Sequence, residues 1–165
     1  MEKIWIKNYH ESLSPEINPE RYSSLVDIYE QSVAKYADKT AYINMGHSIT
    51  FKELDQYTEQ FAAYMQSQGL KKGDAVAVMM PNLFQYPVCI FGILRAGMSV
   101  VNVNPMYTER ELEHQLNDSG AKAIVMVENL ANTRSAVIDK TGGELTLLTK
   151  IGDMFPFPKR TIMNF

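Results

Sequence analysis

An α/β fold, with a layered and mostly parallel sheet carrying helices on both faces, is the class this sequence predicts, and three observations carry it. Residues 75–80 are apolar throughout rather than alternating, and residues 121–127 are so except for Lys122, as strands covered on both faces are. Around them run amphipathic stretches with helical spacing. Short turns bearing Gly, Pro or Asn separate the two kinds of segment, so strand and helix alternate along the chain, the pattern of a parallel sheet with helical crossovers.

Residues 24–36 follow a serine cap and place Leu25, Ile28, Tyr29, Val33 and Tyr36 at helical spacing. Residues 40–44 alternate, and Met45-Gly46-His47-Ser48 turns the chain back into Ile49-Thr50-Phe51, a small hairpin. Thr50 and Glu53 spell a capping box, in which hydroxyl and carboxylate each satisfy an orphan amide. The helix it opens is expected to bury Leu54, Tyr57, Phe61, Tyr64 or Met65, and Gln68, and to stop at Gly69. After strand 75–80, Asn82 is expected to cap a helix carrying Phe84, Val88, Phe91, Ile93, Leu94 and Ala96 up to Gly97. Pro87 removes an intrahelical hydrogen bond, so a late start or a kink near Gln85 is expected.

Residues 99–103 read as a second buried strand closed by Asn104-Pro105. Thr108 and Glu111 form a second capping box, opening a helix through Leu112 and Leu116 that Ser119-Gly120 ends. Then follow strand 121–127, a short helix over 130–138 and a fourth strand at 145–149. The organisation expected is an extension at 1–22, an incomplete α/β subdomain at 23–150 and a linker at 151–165. In that last stretch Gly152, Pro156, Pro158, Lys159 and Arg160 interrupt any period and no stop signal closes the chain.

The 165 residues are 45% hydrophobic and 21% charged, enough apolar material for a real core. Sixteen Lys and Arg stand against nineteen Asp and Glu, scattered, so no basic footprint for nucleic acid is present. One cysteine, Cys89, and three dispersed histidines, His10, His47 and His114, offer neither an internal disulfide nor metal-ligand spacing, as expected of a cytoplasmic chain with no metal site. Residues 1–9 hold too few apolar side chains for a signal peptide. The apolar run 75–103 is broken by Pro81, Asn82, Gln85, Pro87, Arg95 and Asn102, short of the ~18 uninterrupted residues a membrane span needs. Trp5, Tyr9 and the aromatic stretch 154–157 beside Lys159 and Arg160 suit packing against a larger body, or peripheral contact with a membrane surface.

No catalytic constellation is visible, and no catalytic residue is assigned. Residues 92–99 have the glycine spacing of a phosphate-binding loop, but Met98 holds the lysine position and the stretch closes a helix instead of opening one. A helix end packed closely on the sheet is the expectation there. Asp74 precedes a strand, the wrong end for an α/β site, and reads as a turn aspartate. His114 reads as solvated and Cys89 as core.

Four separated motifs nonetheless resemble, in order and spacing, the start of the adenylate-forming enzymes. They are Ile49-Thr50-Phe51-Lys52-Glu53-Leu54, Lys72-Gly73-Asp74-Ala75-Val76-Ala77, the run from Ile93 through Asn104-Pro105, and Tyr107-Thr108-Glu109-Arg110-Glu111-Leu112 with Asp118-Ser119-Gly120-Ala121. Within that superfamily Glu16-Ile17-Asn18-Pro19-Glu20-Arg21-Tyr22 and Met79-Met80-Pro81-Asn82-Leu83 are similar to the bacterial long-chain fatty-acid–CoA ligases. The resemblance spans essentially the whole chain and implies part of a large N-terminal domain. It implies a parent enzyme that couples ATP, a fatty acid and coenzyme A, with Mg2+, through an acyl-adenylate. The phosphate loop, the ribose-binding aspartate and the catalytic lysine of such enzymes lie beyond these residues. The chain alone is therefore expected to be inactive, to bind none of these ligands tightly, and to self-associate through bare faces. Asn104, Pro105 and Met106 are implied to lie near coenzyme A, and Gln115 stands where acetate-activating relatives carry a nucleotide-facing arginine. By themselves those three residues also read as a tight strand-to-helix connection. A self-sufficient, non-catalytic binding or oligomerisation module is the alternative.

Overall fold

The computed structural model describes residues 2–165. The chain begins with two 3-10 turns, Ile4–Asn8 and Pro19–Arg21, neither of which buries a residue. Among the described residues the first buried side chain is Tyr29, on α1 (Leu25–Tyr36), whose N-cap Ser24 accepts from the Asp27 amide. β1 (Thr40–Asn44) and β2 (His47–Thr50) pair antiparallel. Met45 at φ 47° and Gly46 at φ 75° give the left-handed backbone that a two-residue hairpin turn requires. α2 (Phe51–Ser67) starts on the complete Thr50–Glu53 capping box.

Then the layered part begins, in chain order β3 (Ala75–Met79), α3 (Gln85–Arg95), β4 (Ser99–Asn102), α4 (Glu109–Ser119), β5 (Ala123–Val127), α5 (Ala131–Ser135), β6 (Leu145–Thr149) and α6 (Lys159–Asn164). The four strands form one sheet in the order β4-β3-β5-β6, and every pairing is parallel. The continuous apolar runs follow from this placement. On one face Val76, Val78, Val125 and Val127 pack with Met65 of α2 and Cys89 and Ile93 of α3. On the other, Ala77, Met79, Ile124 and Met126 pack with Leu112 and Leu116 of α4 and with Val137. Each Val, Ile, Leu and Met among them contributes about 1.5–3 kcal/mol by leaving water. A third cluster joins Tyr29, Ile49, Leu54, Phe84, Val88 and Phe155, so the hairpin and α1 sit against the outer side of α3.

Three local expectations need correction. The buried residues of α2 are Leu54, Thr58, Ala62 and Met65, whereas Tyr57 and Tyr64 are exposed. The stripe is displaced because α3 crosses there with Gly92, at which a Cβ would lie 2.7 Å from Phe61 and 3.0 Å from the Thr58 carbonyl. That glycine thus lets α3 approach α2, while Ile93, Ala96 and Met98 at the same helix end pack on the sheet as expected. Asn82 does not cap α3: the N-cap position is Phe84, without a side-chain bond, and the Asn82 carbonyl instead accepts from Asn44 Nδ2 at 3.0 Å. The helix begins late, so Pro87 falls in its first turn, where an amide has no intrahelical partner to lose. Finally, the stretch read as one helix over 130–138 is broken into a 3-10 turn at Glu128–Leu130, α5, and a second 3-10 turn at Ile138–Lys140. Here Arg134, buried, donates to Thr141 and to the Gly143 carbonyl and ties the irregular return to the strand that follows.

Candidate functional site

Ligands of open α/β sheets gather beyond the carboxyl ends of the strands, where backbone groups run out of ladder partners. Beyond β3 and β4 the chain leaves a crevice of about 410 Å³ lined by Met80, Pro81, Asn82, Tyr86, Asn102, Val103, Asn104 and Pro105. A smaller cavity of about 270 Å³ adjoins it, sharing Asn82 and Tyr86 and reaching Tyr42, Ile43 and Asn44 of the hairpin.

Each wall has a local cause. The ladder ends where the Val103 amide donates to the Val78 carbonyl at 3.0 Å. Pro81 then breaks the strand, and α3 starting at Gln85 brings Tyr86 over the strand end, where its hydroxyl donates to Asn102 Oδ1 at 2.9 Å. The Asn102 carbonyl accepts from Gln115 Nε2 of α4 at 3.0 Å, so the position compared with a nucleotide-facing arginine braces β4 instead. Asn104 Oδ1 accepts from the Met106 amide at 2.9 Å and the Asn104 carbonyl from Tyr107 at 3.1 Å. The turn hands the chain to Thr108, whose amide donates to Glu111 Oε2 at 2.8 Å and opens α4. The Thr108 amide, with its hydroxyl, holds the Glu111 carboxyl below its ordinary value.

Of the three residues that the resemblance implies to lie near coenzyme A, Asn104 and Pro105 line the crevice. Met106 does not; it is 84% exposed on the rim side of the turn. Asn82 reads from the sequence only as a helix cap, and Tyr86 and Asn102 carry no site assignment there. Their signal was present as polar groups directly after, or closing, an apolar strand, the place where an α/β site forms.

The crevice offers amides, a phenol and strand-end backbone, which bind through hydrogen bonds and stacking, and no Lys or Arg lines it. Nothing there neutralises a triphosphate. Among the described residues no three His, Cys, Asp or Glu side chains gather that could hold a metal ion. These residues therefore do not fit a magnesium–nucleotide complex by themselves. Cys89 lies buried in the core with its thiol pushed up to about 12 by desolvation, which disfavours the nucleophilic thiolate. His114 is exposed on α4. Asp74 sits before β3, accepting from the Lys71 amide at 2.7 Å and pairing with Lys122 at 2.8 Å, a turn aspartate at the opposite end of the sheet. Residues 92–99 close α3 and open β4, with Gly97 at φ 75° packed under Lys72, so they cradle no phosphate. No described helix is long and apolar enough to cross a membrane.

The family model for AMP-binding enzymes matches residues 29–163. A long-chain-fatty-acid–CoA ligase of Escherichia coli O6:H1 is 59% identical over the whole chain, and that of Bacillus subtilis is 35% identical over 98% of it. The chain spans only about 30% of the length of these relatives. Among solved structures, a long-chain-fatty-acid-CoA ligase of Archaeoglobus fulgidus superposes with a TM-score of 0.70 at 28% identity, covering 85% of this chain and 29% of that one. An anthranilate CoA ligase in complex with anthranoyl-AMP shares the fold with a TM-score of 0.74 at 21% identity, over 78% of this chain and 25% of that one. The four motifs, the parallel sheet with its strand-end crevice and these matches agree: the chain belongs to the AMP-binding enzyme family, that of the adenylate-forming enzymes.

Proposed function

We propose that this chain is the N-terminal part of a long-chain-fatty-acid–CoA ligase and supplies its four-stranded platform and one wall of the ligand path. ATP, Mg2+, the fatty acid and coenzyme A serve the complete enzyme in the cytoplasm, and the groups that meet phosphate charge come from polypeptide outside these residues. The carrying observation is the uncharged crevice at the carboxyl ends of β3 and β4, in a chain 59% identical to such a ligase. Asn104, Pro105 and Met106 border the coenzyme A path. The exposed Met106 and the strand-end amides suit the uncharged pantetheine arm rather than its phosphates. Separated from the rest of the enzyme, the chain associates with itself, because Ile43, Met45, Leu148, Phe157 and Ile162 are exposed. Light scattering showing a clean monomer over a wide concentration range would count against that.

The test is a graft. The chain replaces the matching segment of the Escherichia coli O6:H1 relative, and CoA-dependent thioester formation from a long-chain fatty acid and ATP is measured. Activity is expected, with Met106→Asp raising KM for coenzyme A while leaving kcat nearly unchanged. A folded graft without activity contradicts the ligase reading, and an unchanged KM contradicts the placement of residues 104–106.

A further inference from the structure

The sheet has two edges, and they are not alike. At the β4 edge the Asn102 carbonyl is already taken by Gln115. β6 pairs only with β5. The Leu145 amide donates to the Lys122 carbonyl, which sets it toward β5, so the alternation of a parallel ladder turns the Thr146 and Leu148 amides outward. The next outward amide, Lys150, is satisfied by Asp153 Oδ2 at 2.8 Å. Thr146 and Leu148 have no such partner among the described residues.

Beside this edge runs an apolar groove of about 340 Å³, walled by Phe61, Tyr64, Val88 and Leu147. One polar side chain is sunk in it. Gln85 is 93% buried by residue area, its exposure being 7%. Its Nε2 donates to Thr149 Oγ1 at 3.1 Å and to the Lys150 carbonyl at 2.9 Å. A carbonyl only accepts, so this contact fixes which end of the amide is which, and leaves Oε1 as a buried acceptor with no donor. An unmet acceptor of this kind is costly, and native structures seldom keep one unless something supplies a donor.

We infer that the groove and the outer edge of β6 form a docking site for one extended strand of the ligase polypeptide that lies outside this chain. Its backbone carbonyls accept from Thr146 and Leu148, an N–H donor on it reaches Gln85 Oε1, and its apolar side chains fill the groove. Three features favour that occupant. The chain matches only 30% of the ligases it resembles, so most of each relative is available to pack against it. The sheet grows outward in chain order from β3 through β5 to β6, and consecutive elements tend to lie side by side. The outward amides repeat at the two-residue spacing of a strand, which a compact small molecule does not match. The inference rests on the ligase reading, and its test is read separately from activity.

Hydrogen exchange of the Leu145–Thr149 segment is followed in the isolated chain at low concentration and in the graft onto the Escherichia coli O6:H1 ligase. At least about tenfold slower exchange in the graft is expected, with the central β3 segment protected in both. Equal exchange of β6 in the two proteins overturns the inference even if the graft makes acyl-CoA. Slowed exchange supports it even if the graft is inactive. Protection in the graft that fades on dilution identifies a second copy as the occupant and also overturns it. As a second readout, Gln85→Leu lowers the melting midpoint more in the graft than in the isolated chain, because only there does Oε1 have a donor to lose; an equal or smaller drop contradicts the proposal.

Discussion

Arg95 on α3 holds Asp55 on α2 at 2.7 Å across the helix crossing, with the two side chains only 21% and 31% exposed. The same guanidinium nitrogen donates to Thr58 Oγ1 at 2.9 Å. Thr58 in turn shares a hydrogen bond of 3.1 Å with the Tyr29 hydroxyl, and Tyr29 stacks on Phe91 at 4.3 Å between ring centroids. One charged side chain thereby fastens α1, α2 and α3 together. Arg95→Met leaves Asp55 partly buried and unpaired, and is expected to destabilise the chain by about 1–3 kcal/mol in urea unfolding. A loss below a few tenths would mean the network is solvated in practice.

The close helix crossing carries its own prediction. A methyl group at position 92 meets the Phe61 ring at 2.7 Å and the Thr58 backbone carbonyl at 3.0 Å, and a backbone atom cannot swing aside. Gly92→Ala gains helix propensity but separates α2 from α3. Overpacking of about 1–3 kcal/mol should prevail over the ~1 kcal/mol propensity gain, so the midpoint falls. A rise in midpoint would show that the helices separate freely.

At the start of α2 the Thr50 amide donates to Glu53 Oε2 at 2.8 Å while the Glu53 amide donates to Thr50 Oγ1 at 3.2 Å. Thr50→Ala is expected to cost about 1 kcal/mol. The Thr50 amide, with its hydroxyl, holds the Glu53 carboxyl below its ordinary value of 4.5. A carboxyl lowered on folding stabilises above its unfolded value, and that stabilisation is lost as pH falls through the folded one. The stability gap between wild type and Glu53→Ala should accordingly be widest near neutral pH and shrink below about pH 4.5. A gap that is flat with pH would remove the ionised carboxylate from the cap.

Burial that pushes the Cys89 thiol up to about 12 leaves almost no thiolate at pH 8. Iodoacetamide should label the native chain at the rate of its unfolding, and denaturant should abolish the protection. Rapid labelling without denaturant would show that the α3 face of the sheet opens locally.

What could be read from the residues follows from the range over which each signal acts. Both capping boxes lie within four consecutive residues, and the covered strands declare themselves by unbroken apolar runs, so α2, α4, β3 and β5 were legible. Gln85 reaches Thr149 and Lys150 across some 64 positions, and Arg134 is buried by a return segment lacking any period; no local pattern encodes either. The α2 stripe was misplaced for the same reason, since the crossing with Gly92 decides which of Tyr57 and Thr58 turns inward. In the crevice, Asn104 and Pro105 are reached through the family resemblance, since their local pattern reads only as a tight strand-to-helix connection. Tyr86 is hidden because its place in the site rests on a contact with Asn102, 16 positions away on β4.

The most direct measurement of the central claim is conversion of labelled ATP to AMP by the isolated 165-residue chain supplied with a long-chain fatty acid, Mg2+ and coenzyme A. No AMP above the enzyme-free background is expected, because no Lys, Arg, His, Asp or Glu lines the crevice. Sustained, fatty-acid-dependent AMP production by the purified chain would contradict the account.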